Sequence, residues 1–506
     1  MKYKTNILIY MILYIKNILK NYIHIFILAL GLLIFCYPLV FSLFKYLPGN
    51  LGDARYINYI LEHAYLFIHQ TNLHTSFFDL PIFFPHTNTL SYSDMMIGGM
   101  ILYIPIREII KDPQNALLIW FILTSILNYY SMYILLRKIF NFNKMSSAIG
   151  ALIFAFSTPK QNQIGHLQFQ TQFYMILSVI LFLSINYNKS KSHNLFCFLL
   201  CSIFFVIQIY SSFYLGWFML YGMLIYCIVA TVSRKLRPKF LFFIKTYIYE
   251  IILNIIIGLI LLIPLIKHYL AVGIEFDYNS QNLVSLIGFF TSNSIVDNNI
   301  LNLSYLFIGE NEEYWENVFG IGYITFIAAT IGLFYRNKHN KNILLFFILS
   351  LSFFVISPLN KLLYMIYPGT SAIRVSPRII LLLLPIFSYG IANFFEKIKN
   401  RKIIYIFLIF FVFIELIYRY DFYFWSKLSH QENLQNYKIP QNCNIVFFDS
   451  EDEEYDNYFE IYNSGVMWKI IDKVYTHNGY SGYSPQFYSQ ILSKKCIIKK
   501  DYFIDD

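Results

Sequence analysis

Long apolar runs broken by short polar stretches recur along most of the chain, and the polar stretches alternate in character. Runs of about 17–25 apolar residues have the length of a transmembrane helix. They predict a first span at roughly 22–45, then spans at roughly 115–136, 146–158, 171–187, 194–211, 213–231, 247–270, 319–335, 343–357, 379–395 and 403–419, about eleven in all. Every second connection carries clustered lysines and arginines: Lys2 to Lys20, Arg137 to Lys144, Lys189 with Lys191, Arg234 to Lys239, Arg336 to Lys341, and Lys397 to Lys402. By the positive-inside rule these sides are cytoplasmic. The N-terminus then lies inside and the C-terminus outside the cytoplasmic (inner) membrane, in a multi-pass arrangement. Met95–Ile110 is apolar but short and ends near Arg107, Glu108 and Lys111. Reading it as a helix lying in the outer interface keeps the later basic clusters on one side. The expected fold is thus a mainly α, polytopic helix bundle over 1–419, with a large first outer loop over 46–112.

The tail from 420 to 506 has a different texture. CNIVFFDS reads as a buried strand between turn residues. Glu460–Lys473 has helical apolar spacing, and HNGYSGYSP is a glycine-rich loop. A small α/β domain outside the membrane is the expectation. Of the six cysteines, Cys36, Cys197, Cys201 and Cys227 lie in apolar runs and read as packing residues. Cys443 and Cys496 fall in the tail and can pair if it lies in an oxidising compartment.

Composition agrees with the pattern. The 506 residues are 57% hydrophobic and 13% charged, half the charge of a soluble domain, about 25%. Mean hydropathy is +0.51. The net charge of +10 does not argue for nucleic acid, because the basic residues sit between spans. No cleavage site follows the first apolar run, which reads as a retained helix. The many aromatics fit a coding bias better than a ligand box.

Acids are scarce in the first half of the chain except between Gly52 and Asp94. That loop carries Asp53, Glu62, Asp79 and Asp94, with Arg55, His63, His69, His74 and His86. The topology places it on one side with an amide-rich turn holding His166 and Gln168, with a Glu310–Glu316 cluster, and with Arg374 and Arg378. A transferase acting on a lipid-linked sugar needs such a convergence. The departing phosphate needs cations, and the acceptor hydroxyl needs a carboxylate base. A phosphate leaving group needs no protonation, so one carboxylate suffices.

Asp53, just past the first span, is the candidate base, and partial desolvation is expected to raise its pKa. Pairing with Arg55, or capping a helix that starts at Ala54, explains it equally simply. Arg55, Asp94, His166, Gln168, Glu316, Arg374 and Arg378 form the candidate substrate-binding set. Asp94 reads most simply as the N-cap of the interfacial helix, and Asp79 as a turn former before Pro81. A divalent metal (Mg or Mn) held by Asp53, Asp94 and a histidine is conceivable, although no ligand spacing compels it. Arg374 and Arg378 share a face if helical; headgroup snorkelling explains them as well. The competing class is a transporter or flippase for a lipid-linked glycan. It predicts charges inside the spans, where Glu250 and Glu415 are the main acids and both fall near predicted span ends.

The segments LGDARYINYILEHAY, SFFDLPIFFPHTNTLSYSD, FAFSTPKQNQIGHLQFQTQFY, ENVFGIGYI and RVSPRIILLLLP, with the tail piece GVMWKIIDKVYTHNGYSGYSP, resemble bacterial members of the GT-C superfamily of polytopic glycosyltransferases. Protein O-mannosyltransferases and oligosaccharyltransferases share that architecture. The resemblance implies a polyprenyl-phosphate sugar donor, an inverting transfer to an extracytoplasmic glycan, lipid or protein acceptor, and an essential acid in the first outer loop, where Asp53 stands. The paired-acid DxD form of such families is absent, since Ala54 and Arg55 follow Asp53.

Overall fold

The computed structural model describes residues 21–273, 283–291, 294, 317–335, 339–418, 424–435, 439, 443–448, 464–482 and 496–498. Glu316 and the rest of the Glu310–Glu316 cluster lie outside the described residues.

The chain is mainly helical. In order, α1 is Asn21–Phe35, α2 Tyr37–Phe41, α3 Asp53–Ile68, α4 Ile97–Ile109, α5 Pro113–Ile134, α6 Lys144–Phe156, α7 Thr158–Asn162, α8 Phe173–Ser184, α9 Lys191–Ser211, α10 Phe213–Val232 and α11 Arg237–Val272. After them come α12 Tyr323–Phe334, α13 Asn340–Val355, α14 Ser357–Ile366, α15 Ile380–Ile398, α16 Lys402–Glu415 and α17 Lys427–Gln435. A last helix, α18, covers 464–470. Among the described residues there are five short strands: β1 Tyr46–Pro48, β2 Phe424–Ser426, β3 Ile445–Phe448, β4 Tyr475–Thr476 and β5 Ile497–Ile498.

Among the described residues six helices are long and apolar enough to cross a bilayer, or up to seven if α13 and α14, bent by 89°, form one broken span. Several of the other expected spans are shorter helices. The expected span at 22–45 ends at Phe35, because Pro38 has no N–H to continue the ladder and residues 42–44 turn, with Leu43 and Phe44 at positive φ. The expected span at 146–158 is the short α6, buried along its length against α5 and α15. The apolar pattern of a core helix and that of a span are alike here, and only length separates them.

Packing divides the long helices. The window of α15 is 83% buried and that of α11 only 11%. Small residues explain the first value. A Cβ on Gly332 of α12 would fall on the carbonyl oxygen of Gly390 in α15, and a Cβ on Gly150 of α6 would meet Ser388 O and Leu136. Close backbone approach of this kind is how helices associate in lipid. In α11 a Cβ on Gly258 would meet nothing within 4 Å. This helix runs for 36 residues and breaks at Tyr247, where the expected span begins. Glu250 therefore lies just past that break, near the start of the expected span. Glu415 ends α16 and accepts from the Ile324 and Thr325 backbone N–H groups and from the Thr325 hydroxyl, capping α12.

The tail docks on the first loop. Strand β1 pairs antiparallel with β2. Beyond it, β4–β3–β5 is a three-stranded parallel sheet; the connection from β3 to β4 runs through α18, as parallel pairing requires. Cys443 and Cys496 form the pairing that the sequence allowed. Phe84 N–H donates to Thr476 O and Thr476 N–H to Pro81 O, and Ser464 Oγ donates to Leu51 O. Helix α3 is fixed to α4 through Glu62, which accepts from Arg107 at 2.9 Å and from Tyr103 at 2.8 Å.

Candidate functional site

Four distant parts of the chain meet at the first turn of α3. Asp53 is its first residue, and the Asn50 side chain accepts from Ala54 N–H at 3.0 Å. The expected capping of Ala54 by Asp53 is therefore replaced by capping from Asn50, which leaves the Asp53 carboxylate to other partners. Oδ2 lies 3.1 Å from His166 Nδ1. Oδ1 accepts from the Tyr480 hydroxyl at 2.5 Å. On the far side of the imidazole, Arg378 Nη2 donates to His166 Nε2 at 2.9 Å. A guanidinium has donors only. His166 Nε2 must therefore accept, and its proton sits on Nδ1, pointing at Asp53. Tautomer and ring direction are set by the two partners, as in other imidazoles held between charged groups.

The guanidinium carbon lies 5.3 Å from the centre of the Phe169 ring and 5.2 Å from that of the Tyr214 ring, and the two rings stand nearly edge to face, 6.0 Å apart at 72°. Cation–π contact of this kind stabilises a buried arginine, and Arg378 is only 8% exposed. Phe169 belongs to the 3₁₀ helix Leu167–Thr171 and Arg378 to the 3₁₀ helix Ser376–Ile379. The Lys160 ammonium, wholly buried, donates to Phe169 O at 2.8 Å and fixes that turn from behind. Burial pulls the Lys160 pKa down to about 7.

Burial pushes the Asp53 pKa up, as expected from sequence. The hydrogen bonds from His166 and the Tyr480 hydroxyl and the Arg378 charge together outweigh it, so the carboxyl ends below the ordinary value. The expected rise is thus reversed: a carboxylate fed by several donors stays ionised despite its surroundings. About a third of the side chain, 34%, remains open to solvent, enough for a ligand atom to reach it.

Asp94 behaves differently. The helix that follows it, α4, begins after Met96 in left-handed conformation and takes no side-chain cap. Asp94 instead reaches α10: Phe213 N–H donates to Oδ1 at 2.6 Å and Ser212 Oγ to Oδ2 at 3.3 Å. It is a cap, but of a helix 119 residues away in sequence. Burial raises its pKa to about 6, against these hydrogen bonds and the more distant Arg378 and His166.

The remaining candidates separate. Arg55, 5% exposed, lies within α3. Gln168 follows His166 in the 3₁₀ turn; its Oε1, and both amide atoms of the neighbouring Gln170, are buried without a hydrogen-bond partner. Arg374 and Arg378 do not share a helical face. Residues 373–375 are not helical, Arg374 is exposed, and its backbone N–H donates to the Tyr214 hydroxyl at 3.1 Å.

Among the described residues no three His, Cys, Asp or Glu side chains gather as a metal-ligand set, and both His166 nitrogens are already engaged. Sequence reasoning missed Tyr480, Phe169, Tyr214 and Lys160. The glycine-rich HNGYSGYSP loop was the available signal for Tyr480. A Cβ on Gly479 would meet Ile82 at 3.1 Å and Phe83 at 3.2 Å, so the loop lies against the first one with little room for a side chain there.

No family model matches the chain, and no curated protein matches it.

Proposed function

We propose that the protein is an integral membrane glycosyltransferase that transfers a sugar from a polyprenyl-phosphate donor to an acceptor hydroxyl, with inversion. One observation carries this reading: Asp53, His166, Arg378 and Tyr480, from four distant regions, converge on an ionised, partly open carboxylate beside a caged cation. In the proposed step the acceptor oxygen forms a bond to the anomeric carbon and its proton passes to Asp53. The bond from that carbon to the phosphate oxygen breaks, and the lipid phosphate departs with the electron pair. A low Asp53 pKa keeps the base ready at neutral pH, and His166 holds its orientation. Arg378 supplies positive charge where the phosphate develops it. The unpartnered amides of Gln168 and Gln170 suit a ligand rich in hydroxyls, since buried polar groups ordinarily find partners.

The Cys443–Cys496 bond supports an oxidising compartment for the tail, and with it a site facing away from the cytoplasm in a cytoplasmic-membrane protein. The GT-C resemblance is consistent with these roles, and an extracytoplasmic glycan, lipid or protein is the acceptor class. A transporter or flippase is the weaker reading, because Glu415, an acid it requires, is committed to capping α12.

The test uses purified protein in lipid nanodiscs with a panel of short-chain polyprenyl-phosphate hexoses and pentoses, reading release of polyprenyl phosphate. Asp53→Asn is expected to lower turnover on the order of 10²–10⁴-fold. Turnover within threefold of wild type would remove Asp53 as the base.

A further inference from the structure

The other end of α3 holds a second buried cluster that the proposed chemistry does not use. His63 and His74 are both 0% exposed, and their Nδ1 atoms lie 2.7 Å apart. Each ring is also engaged on its other nitrogen. His63 Nε2 lies 3.0 Å from Phe77 O, and His74 Nε2 lies 2.6 Å from Ile471 O. A carbonyl oxygen only accepts, so both Nε2 atoms must carry protons. Two neutral imidazoles then have no proton left for the Nδ1–Nδ1 contact, and two lone pairs would oppose each other. Two imidazolium rings fail in the opposite way, with two N–H groups facing. The geometry closes with three N–H protons on the pair and with no other number.

We propose that His63 and His74 share a single proton, and that this proton positions the C-terminal segment so that Tyr480 reaches Asp53. The pair spans the joint between α3, the first loop and the tail: His74 grips Ile471, at the end of α18, and Tyr480 follows nine residues later on the same segment, its N–H on the Met467 sulfur and its ring edge-on to Tyr56 at 5.8 Å. The two histidines are positioning residues, acting through the tail. This idea deepens the transferase reading of Asp53 but is measured without it.

The charged neighbours define the pH response. Asp79 of the first loop faces His63, while Asp472 of the tail and Glu62 of α3 face His74; Glu62 is paired with Arg107 of α4. These acids favour the third proton. Burial opposes it, pulling His63 down to about 3 and lowering His74. The short contact favours the proton too, since losing it leaves a lone-pair clash. The docked tail holds one more proton than two neutral imidazoles and one fewer than two imidazolium rings. Its docking therefore weakens on both sides of an optimum, which burial of the two rings sets below the ordinary histidine range, with a limiting slope of about tenfold per pH unit.

Hydrogen exchange of peptides covering 464–482, in the purified full chain without any sugar donor, tests this from about pH 3 to pH 8 after correction for intrinsic rates. The wild type is expected to show a bell-shaped protection profile. His63→Gln and His74→Gln should each flatten it. His477→Gln, which removes a tail histidine bonded to Phe84 O at 2.8 Å outside the pair, should leave the bell in place. A flat wild-type profile overturns the proposal even if the pair variants fail to fold, and so does a bell that survives both of them. A dead Asp53 with an intact bell, or the reverse, separates this idea from the transferase reading.

Discussion

Asp53 and Asp94 belong to the same loop, lie near the same His166 and Arg378, and end with opposite chemistry. Asp53 is met by side-chain donors, an imidazole and a phenol, and is held below the usual carboxylate range. Asp94 is met by one backbone N–H and one hydroxyl in a closed pocket, and burial lifts it to about 6. The difference teaches that a shared cation does not decide ionisation. The number and charge of the donors touching the carboxylate, set against the water it loses, decide it.

The largest effect expected of this contrast is on the Asp53 side, where Asp53→Asn removes the base outright. Arg378→Ala comes next. It takes away the cation, the partner of His166 Nε2 and the contact with two aromatic rings, and turnover should fall by roughly 10²-fold. Arg378→Lys should recover only part of that, because an ammonium lacks the planar fork that reaches His166 while lying against Phe169 and Tyr214. Initial-rate measurements that found Arg378→Lys equal to wild type would break this account of the guanidinium.

Asp94 should read out in stability instead. Its folded pKa, about 6, lies above the model-compound value of 3.8. The fold therefore binds the proton more tightly than the unfolded chain, and stability falls as pH rises through the window from about 4 to 6. Thermal unfolding at pH 5 and pH 7 should show wild type more stable at pH 5, and Asp94→Asn should lose that difference. Asp94→Ala should cost about 0.5–2 kcal/mol as a lost helix cap.

The smallest effect is at Tyr480. Removing its hydroxyl takes one lowering contact from Asp53, so the Asp53 pKa rises. The acid limb of the turnover profile should then move to higher pH by less than about one unit. Movement to lower pH in Tyr480→Phe would contradict the hydrogen-bond direction found here.

Much of this was legible from sequence. The apolar runs located most of the helices. Positional reasoning brought Asp53, His166 and Arg378 to one face, and the structure joins them through direct contacts. The start expected at 247 coincides with the break in α11. Hydropathy did not separate α11 from α15, because lipid and protein interior are equally apolar; the glycines at 332 and 390 carried that information. The role of Asp94 was half legible: capping was clear, but the capped helix is distant in sequence and no local spacing points to it. Arg374 and Arg378 share a face only if the interval is helical, and residues 373–375 are not. Tyr480 was hidden by sequence distance, since nothing near Asp53 announces a donor 427 positions away.

That separation also orders events on the ribosome. Helix α3 and its aspartate are synthesised before the strand that pairs with β1 and before the phenol that completes their surroundings. A nascent chain interrupted before residue 424 would present the carboxylate without either of them.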